Sequence, residues 1–273
     1  LTCYPDIVEE KNGRIKLLRG RLISAVLNST HSDTLMNAIY QLVRYNIGLF
    51  QENDESEAYE LFQKVLRIKR IRNYSLLTSS QLEELFISLE KHCAHISYFW
   101  VQYGLAVQLN KRFEDANNHF LYAQNIRPNS YQVAHALAKN RMEIGLDSLR
   151  KGKASADENF QLGCDSMLSI INNPRYSRAF SYSVHSYAAM LMKYYTVKNQ
   201  TIPDGKCEEL DKFFNLLMEK QIDTNTKEII IAFYRYCEKN SITQYCKGLD
   251  SIWHMTPYVV LDEDDMGDIV ELS

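Results

Sequence analysis

The stretch "WVQYGLAVQLNKRFEDANNHFLYAQNIRP", residues 100–128, decides the fold. Trp100, Tyr103, Gly104 and Val107 stand three, one and three positions apart, the spacing that places side chains on one face of a helix. Ala116, Phe120 and Ala123 do the same along a second helix, and Pro128, with no amide hydrogen, ends it. Gly104 and Ala116 lack bulk, so the two helices can approach closely while Trp100 and Phe120 fill the space around them. The expected helices run from Ile96 to Leu109 and from Phe113 to Asn125.

The same three-four periodicity extends outward, from near Arg14 to about Trp253, and predicts about ten helices. Upstream they are "RIKLLRGRLISAVLNST", "TLMNAIYQLVRYNIGLF", "ESEAYELFQKVLRIKRIRNY" and "SQLEELFISLEKHC". Downstream come "SYQVAHALAKNRMEIGLDSLRKG" and "ASADENFQLGCDSMLSII", the latter stopped by Asn172, Asn173 and Pro174. Then follow "SRAFSYSVHSYAAMLMKYYTVK", "KCEELDKFFNLLMEKQ" after a turn at Pro203, "TKEIIIAFYRYCEKN" and "ITQYCKGLDSIW". Each carries an apolar stripe and a polar back, which is how a stack of helical hairpins is written. Only 10 Gly and 5 Pro among 273 residues agree with long helices on short connections. The tail, "YVVLDEDDMGDIVELS", is acidic and non-helical in pattern.

Composition narrows the function classes. With 45% hydrophobic residues the chain can bury a sizeable core. A formal charge of −3 leaves no cationic excess to neutralise phosphates and argues against broad nucleic-acid binding. No apolar run reaches the roughly 20 residues that cross a bilayer, and the first residues lack the apolar core of a signal peptide, so a cytoplasmic protein is expected. The start at Leu1 rather than Met suggests processing or a piece of a longer chain with further domains upstream. Cys3, Cys93, Cys164, Cys207, Cys237 and Cys246 form no CxxC pair, so reduced and mostly buried thiols are expected.

The opening stretch resembles a tetratricopeptide repeat, a 34-residue helix-turn-helix unit, at Trp100, Tyr103, Gly104, Val107, Ala116, Phe120, Ala123 and Pro128, with Tyr103 and Val107 as mild departures. One 34-residue step further lie Ala134, Leu137 and Ala138, with Arg141 in place of an apolar residue, and the matching second helix, Ala156, Phe160 and Gly163, comes six residues late. Upstream, Ala58, Phe62 and Val65 fit a second-helix pattern. The fold expected from this resemblance is all-α: a right-handed superhelical stack of helical hairpins with a short acidic tail. Its expected parts are N-terminal hairpins at 1–95, core repeats at 96–174, C-terminal hairpins at 175–255 and the tail at 256–273, with 1–255 one continuous solenoid.

Candidate chemistry is sparse. No Gly-rich phosphate loop, Gly-x-Ser-x-Gly elbow or His-Glu-x-x-His helix occurs. "KHCAHI" gathers His92, Cys93 and His95, but a closed zinc site needs four ligands. "DEDDMG" has Asp262, Asp264 and Gly267 at calcium-loop positions, yet Met266 replaces a required oxygen and Ser273 the twelfth-position Glu. Arg112 with His119, and Arg178 with His185, are similar to the Arg-x6-His motif of HEPN-type helical RNases, though Phe113 and Ala179 replace the usual polar residue after the Arg. The basic run "RIKRIR" at 67–72 suits a helix C-terminus. Tyr182, Tyr187, Tyr194, Tyr195, Tyr234 and Tyr236 suit either protein contacts or packing between helices, with core placement expected for most. No catalytic residue, metal ligand or cofactor is assigned.

What remains is the surface of stacked helices, which binds peptides or proteins along a concave face. Exposed members of Gln102, Gln108, Gln132, His135, Lys139 and Tyr182 are expected to line that groove. Residues 98–142 are also similar to the C-terminal helical repeats of bacterial defence ATPases of the STAND type and related sirtuin-linked or nuclease-linked proteins: a Trp-x-Gln-Tyr helix from Trp100, an Ala-x3-Phe helix from Ala116, and a Tyr-Gln-x5-Ala helix from Tyr131. That resemblance implies a sensor that binds a phage or cellular protein while absent N-terminal domains oligomerise. The alternatives are a chaperone adaptor or assembly scaffold, and a HEPN-like RNase.

Overall fold

A computed structural model describes residues 8–11, 14–17, 79–219, 224–242, 244, 245 and 252. Their backbone contacts fall into two units, Leu1–Pro128 and Asn129–Ser273, the division lying inside the span 96–174. The expected helices between 18 and 78, the basic run at 67–72, most of "ITQYCKGLDSIW" and the tail at 256–273 lie outside the described residues.

In the first unit, β1 (Val8–Lys11) and β2 (Arg14–Leu17) form an antiparallel hairpin in which Val8 faces Leu17 and Lys11 faces Arg14. This corrects the expectation of a helix starting at Arg14. A run as short as "RIKL" satisfies a period of two as readily as one of 3.6.

From Ser79 to Lys239 the described residues are helical apart from short connections. α1 (Ser79–Cys93) buries Leu82, Leu85, Phe86, Leu89 and Cys93, a stripe at three-four spacing, and ends with Lys91 and His92 where its dipole favours cations. α2 (Ser97–Leu109) is different: Phe99, Trp100, Val101, Gln102, Tyr103, Gly104, Ala106 and Val107 are all buried, so it has almost no solvent face. Asn110 closes it, Lys111 turns the chain at a φ of 58°, and α3 (Phe113–Ile126) starts with Glu114 and Asp115 in its first turn. α3 packs back on α2 through Ala116, Phe120 and Ala123. A Cβ built on Gly104 would lie 2.8 Å from Phe120 Cδ1 and 2.9 Å from Cζ, so the absent side chain is what lets the ring seat.

The second unit opens with α4 (Tyr131–Arg150) and α5 (Ala156–Ile171), the most intimately packed pair of helices among the described residues. Here Gly145 takes the part of Gly104: its missing Cβ would sit 2.5 Å from Phe160 N and 2.7 Å from Phe160 Cα. A Cβ built on Gly163 would likewise lie 2.7 Å from Met142 N. Gly145 stands 41 positions after Gly104, and Phe160 stands 40 after Phe120. The 34-residue step therefore misplaces the slot at Ala138, because α4 has 20 residues against 13 in α2.

A 3-10 turn at Pro174–Ala179 follows, with the Asn173 side chain accepting from Arg175 N and proline at the first position. It leads into α6 (Phe180–Lys198), which ends at Asn199 with φ 53°, a left-handed conformation that asparagine tolerates. α6 packs on α4 and α5, and α7 (Asp204–Met218) and α8 (Thr224–Lys239) complete the unit. Tyr187, Tyr194 and Tyr234 are fully buried, their hydroxyls bonded to Glu209, Asp157 and Asp211. Tyr182, Tyr195 and Tyr236 are half-buried.

Candidate functional site

Among the described residues of the first unit, the α2–α3 hairpin carries an aromatic surface. His119, Tyr122 and Ile126 are three and four positions apart and share one face of α3, beside the Ala116, Phe120, Ala123 stripe. His119 lies flat on Tyr103 with ring centroids 4.0 Å apart and stacks on Trp100 at 5.5 Å. Tyr122 stacks on Trp100 at 5.0 Å, and Tyr103 in turn stacks on Phe86 of α1 at 5.4 Å. The rings thus form one continuous array that runs from the core to water. Its outer end is open, since Tyr122 is 56% exposed and Ile126 42%.

Two hydrogen bonds fix the inner part. Trp100 Nε1 donates to the Ala94 carbonyl at 2.8 Å, and Ser97 Oγ donates to the Ala123 carbonyl at 2.9 Å. Burial holds the His119 imidazole below its ordinary pKa, so it is neutral at physiological pH and stacks as an aromatic ring. Its Nδ1 is buried with no hydrogen-bond partner among the described residues.

In the RNase-like pair Arg112 and His119, the arginine faces two carboxylates and the histidine lies in the aromatic array. Arg112 donates through Nη1 to Glu83 and through Nε to Asp115 at 2.6 Å, while Asn110 Nδ2 donates to the other Glu83 oxygen at 2.8 Å. A guanidinium already facing two carboxylates has little charge left for a phosphate. Arg178 is exposed on the 3-10 turn and His185 half-buried on α6.

In the second unit, His135 of α4 packs between Tyr182 (4.6 Å) and Tyr131 (5.6 Å). Tyr131 shares a 3.1 Å hydrogen bond with Ser183, and Tyr176 donates to the Asn129 carbonyl at 3.2 Å. Burial, reinforced by Lys139 and His185, pushes the His135 pKa down to about 3. Its Nε2 is buried without a partner among the described residues.

The six residues expected to line a groove divide by burial. Gln102 is 4% exposed and His135 5%, so neither presents a surface to a ligand. Gln108 on α2, Gln132 and Lys139 on α4, and Tyr182 on α6 are half-buried. Gln102 and Gln108 belong to the first unit and the other four to the second. Trp100, Tyr103, Gly104, Ala116, Phe120 and Ala123 are buried, and Pro128 is exposed. In "KHCAHI" only Cys93 is buried, its thiol pushed up to about 12 by burial, and His95 is exposed. Among the described residues no three His, Cys, Asp or Glu side chains converge to hold a metal ion, and no helix is long and apolar enough to cross a membrane.

The exposed pair Tyr122 and Ile126 went unnoticed in the sequence. The signal was present as two apolar residues four apart, set off from the stripe that ends at Ala123. No protein-family model matches the chain, and no curated protein matches it significantly.

Proposed function

We propose that the chain is a protein-binding module of stacked helical hairpins, and that the Tyr122–Ile126 face of the first unit is a recognition surface for a protein or peptide ligand. The observation that carries this is the open end of the aromatic array: Tyr122 stacked on Trp100 yet 56% exposed, with Ile126 beside it. Exposed apolar side chains that adjoin one another favour association, and a tyrosine already held against another ring loses little rotamer freedom on binding. Tyr and Trp are also the side chains that most often carry interface energy.

The narrower reading is a ligand sensor within a larger cytoplasmic defence protein, binding a phage protein. It is supported by the similarity of residues 98–142 to STAND-type C-terminal repeats. The RNase reading has less support, because Arg112 is engaged by Glu83 and Asp115.

The test is capture from phage-infected and uninfected bacterial lysates with the wild-type chain and with Tyr122→Ala plus Ile126→Ala. A partner whose affinity drops at least about tenfold in the variant, roughly 1.4 kcal/mol, supports the surface. A phage protein so retained identifies a sensor, and a host chaperone an adaptor. A partner held equally by both forms refutes the choice of face.

A further inference from the structure

The line of α3 that ends in Tyr122 and Ile126 starts at Asp115. Asp115, His119, Tyr122 and Ile126 stand four, three and four positions apart, so they share one face of the helix. The spacing is the same in reverse. A second α3 laid antiparallel on the first therefore brings His119 of each copy opposite Tyr122 of the other, with Glu114 and Asp115 opposite Arg127 and Ile126. Both ends of the line are open: the Asp115 side chain is 50% exposed, and Tyr122 and Ile126 face solvent.

Charge is divided along the same edge. Asn110 and Arg112 both bond Glu83, which sets the start of α1 beside the start of α3. The carboxylates of Glu83, Glu114 and Asp115 gather there, against Lys111 and an Arg112 shared between Glu83 and Asp115. At the other end, Ser97 Oγ donates to the Ala123 carbonyl and Trp100 Nε1 to that of Ala94, so the junction of α1 and α2 lies beside the last turn of α3. Exposed Lys91 and Arg127 stand at this end, against a half-buried Glu90. The edge is acidic where α3 starts and basic where it ends.

We infer that this face is occupied by a second copy of the chain, its α3 antiparallel to the first about a two-fold axis between His119 and Tyr122; the inference rests on the reading of the face as a protein contact. A parallel pairing would set acid on acid and base on base. The antiparallel one sets each acidic end against a basic end and opposes the two helix dipoles. Because the same patch is used on both copies, every interaction is made twice. Tyr122 of one copy lies over His119 of the other, which prolongs the ring array and covers the apolar surface of Tyr122 and Ile126. One helix against one helix covers less than the roughly 1,200 Å² of a standard stable interface, so the dimer is weak and reversible and yields the face to a tighter ligand.

Sedimentation velocity of the purified full chain, at loadings from about 1 to 300 µM, reads the association. The expected result is a monomer–dimer equilibrium whose dissociation constant rises at least about tenfold in Tyr122→Ala, with far-UV circular dichroism unchanged. Two charge reversals test the geometry. Glu114→Lys and Arg127→Glu each place like charges at both ends of the pairing, so each alone should dimerise less than the wild type. Mixed in equal amounts they should recover a heterodimer, since each altered end then meets an opposite charge. A wild type that stays monomeric at the highest loading, or a mixture that associates no better than either variant alone, overturns the inference. A monomeric chain that loses a foreign partner on Tyr122→Ala refutes the second copy and leaves the recognition surface standing. A dimer indifferent to Tyr122→Ala, with no other partner lost in that variant, refutes both.

Discussion

Replacing Gly145 by alanine tests the packing of the second unit at its tightest point. Helix propensity alone favours the change, alanine being better than glycine in a helix interior by about 1 kcal/mol. The new methyl, however, would stand 2.5 Å from Phe160 N and 2.7 Å from Phe160 Cα and Cβ, inside any acceptable contact distance. Because the obstacle is backbone, no rotamer change relieves it, and α5 itself must move away from α4. Overpacking of a tight core costs about 1–3 kcal/mol, and the immovable obstacle places this site at the upper end. The net expectation for Gly145→Ala is a loss of about 2 kcal/mol. At Gly104 the obstacle is the Phe120 ring, so Gly104→Ala should lose only about 1 kcal/mol and be rescued in part by Phe120→Leu. Phe160→Leu should not rescue Gly145→Ala. Gly205, with nothing within 4 Å of its Cβ position, serves as control: Gly205→Ala should be neutral or stabilising by up to about 1 kcal/mol. Urea unfolding followed by circular dichroism reads all of these. A Gly145→Ala protein as stable as the wild type would refute the close approach of α4 and α5.

Acid should weaken the second unit through His135. Its folded pKa lies near 3 against 6.5 for an unperturbed histidine, so the unfolded chain takes up a proton that the folded chain refuses. The contribution is complete above about pH 6.5 and falls by about 1.4 kcal/mol per pH unit as the pH drops toward 3. The stability difference between wild type and His135→Phe, measured by urea unfolding at several pH values, should shift with that slope, and a pH-independent difference would contradict it. Arg112→Ala should cost less than about 1 kcal/mol, because the guanidinium and Asp115 are half exposed. RNA incubated with the wild-type chain should stay intact, and cleavage abolished by His185→Ala or Arg112→Ala would restore the RNase reading.

The helices from Ser79 to Lys239 were legible because their apolar residues keep a three-four rhythm over many turns, and Gly104 opposite Phe120 could be anticipated from bulk alone. The second hairpin could not be registered from the same rule. α4 is longer than α2, so a fixed step from Gly104 lands on Ala138 while the small residue that meets the aromatic ring is Gly145. As polar residues, Gln102 and His135 suit a ligand groove wherever they are exposed. Yet Gln102 lies in a helix whose neighbours on every side are apolar, and His135 lies within "VAHALA"; both contexts signal burial. Tyr122 and Ile126 pose the opposite problem. An apolar residue reads as core until the neighbouring elements are known, and here the described structure leaves both open.

The central claim is that this open face contacts a protein partner, and site-specific photocross-linking tests it most directly. The photoreactive substitution Tyr122→benzoylphenylalanine, introduced into the full chain in cells, should capture a partner on irradiation, as should the same change at Ile126. The same probe at Leu162, exposed on α5 of the second unit, serves as control. Capture at 122 and 126 without capture at 162 is the result predicted; an adduct formed only from 162, or from none of the three in cells where the chain co-purifies with a partner, would contradict it.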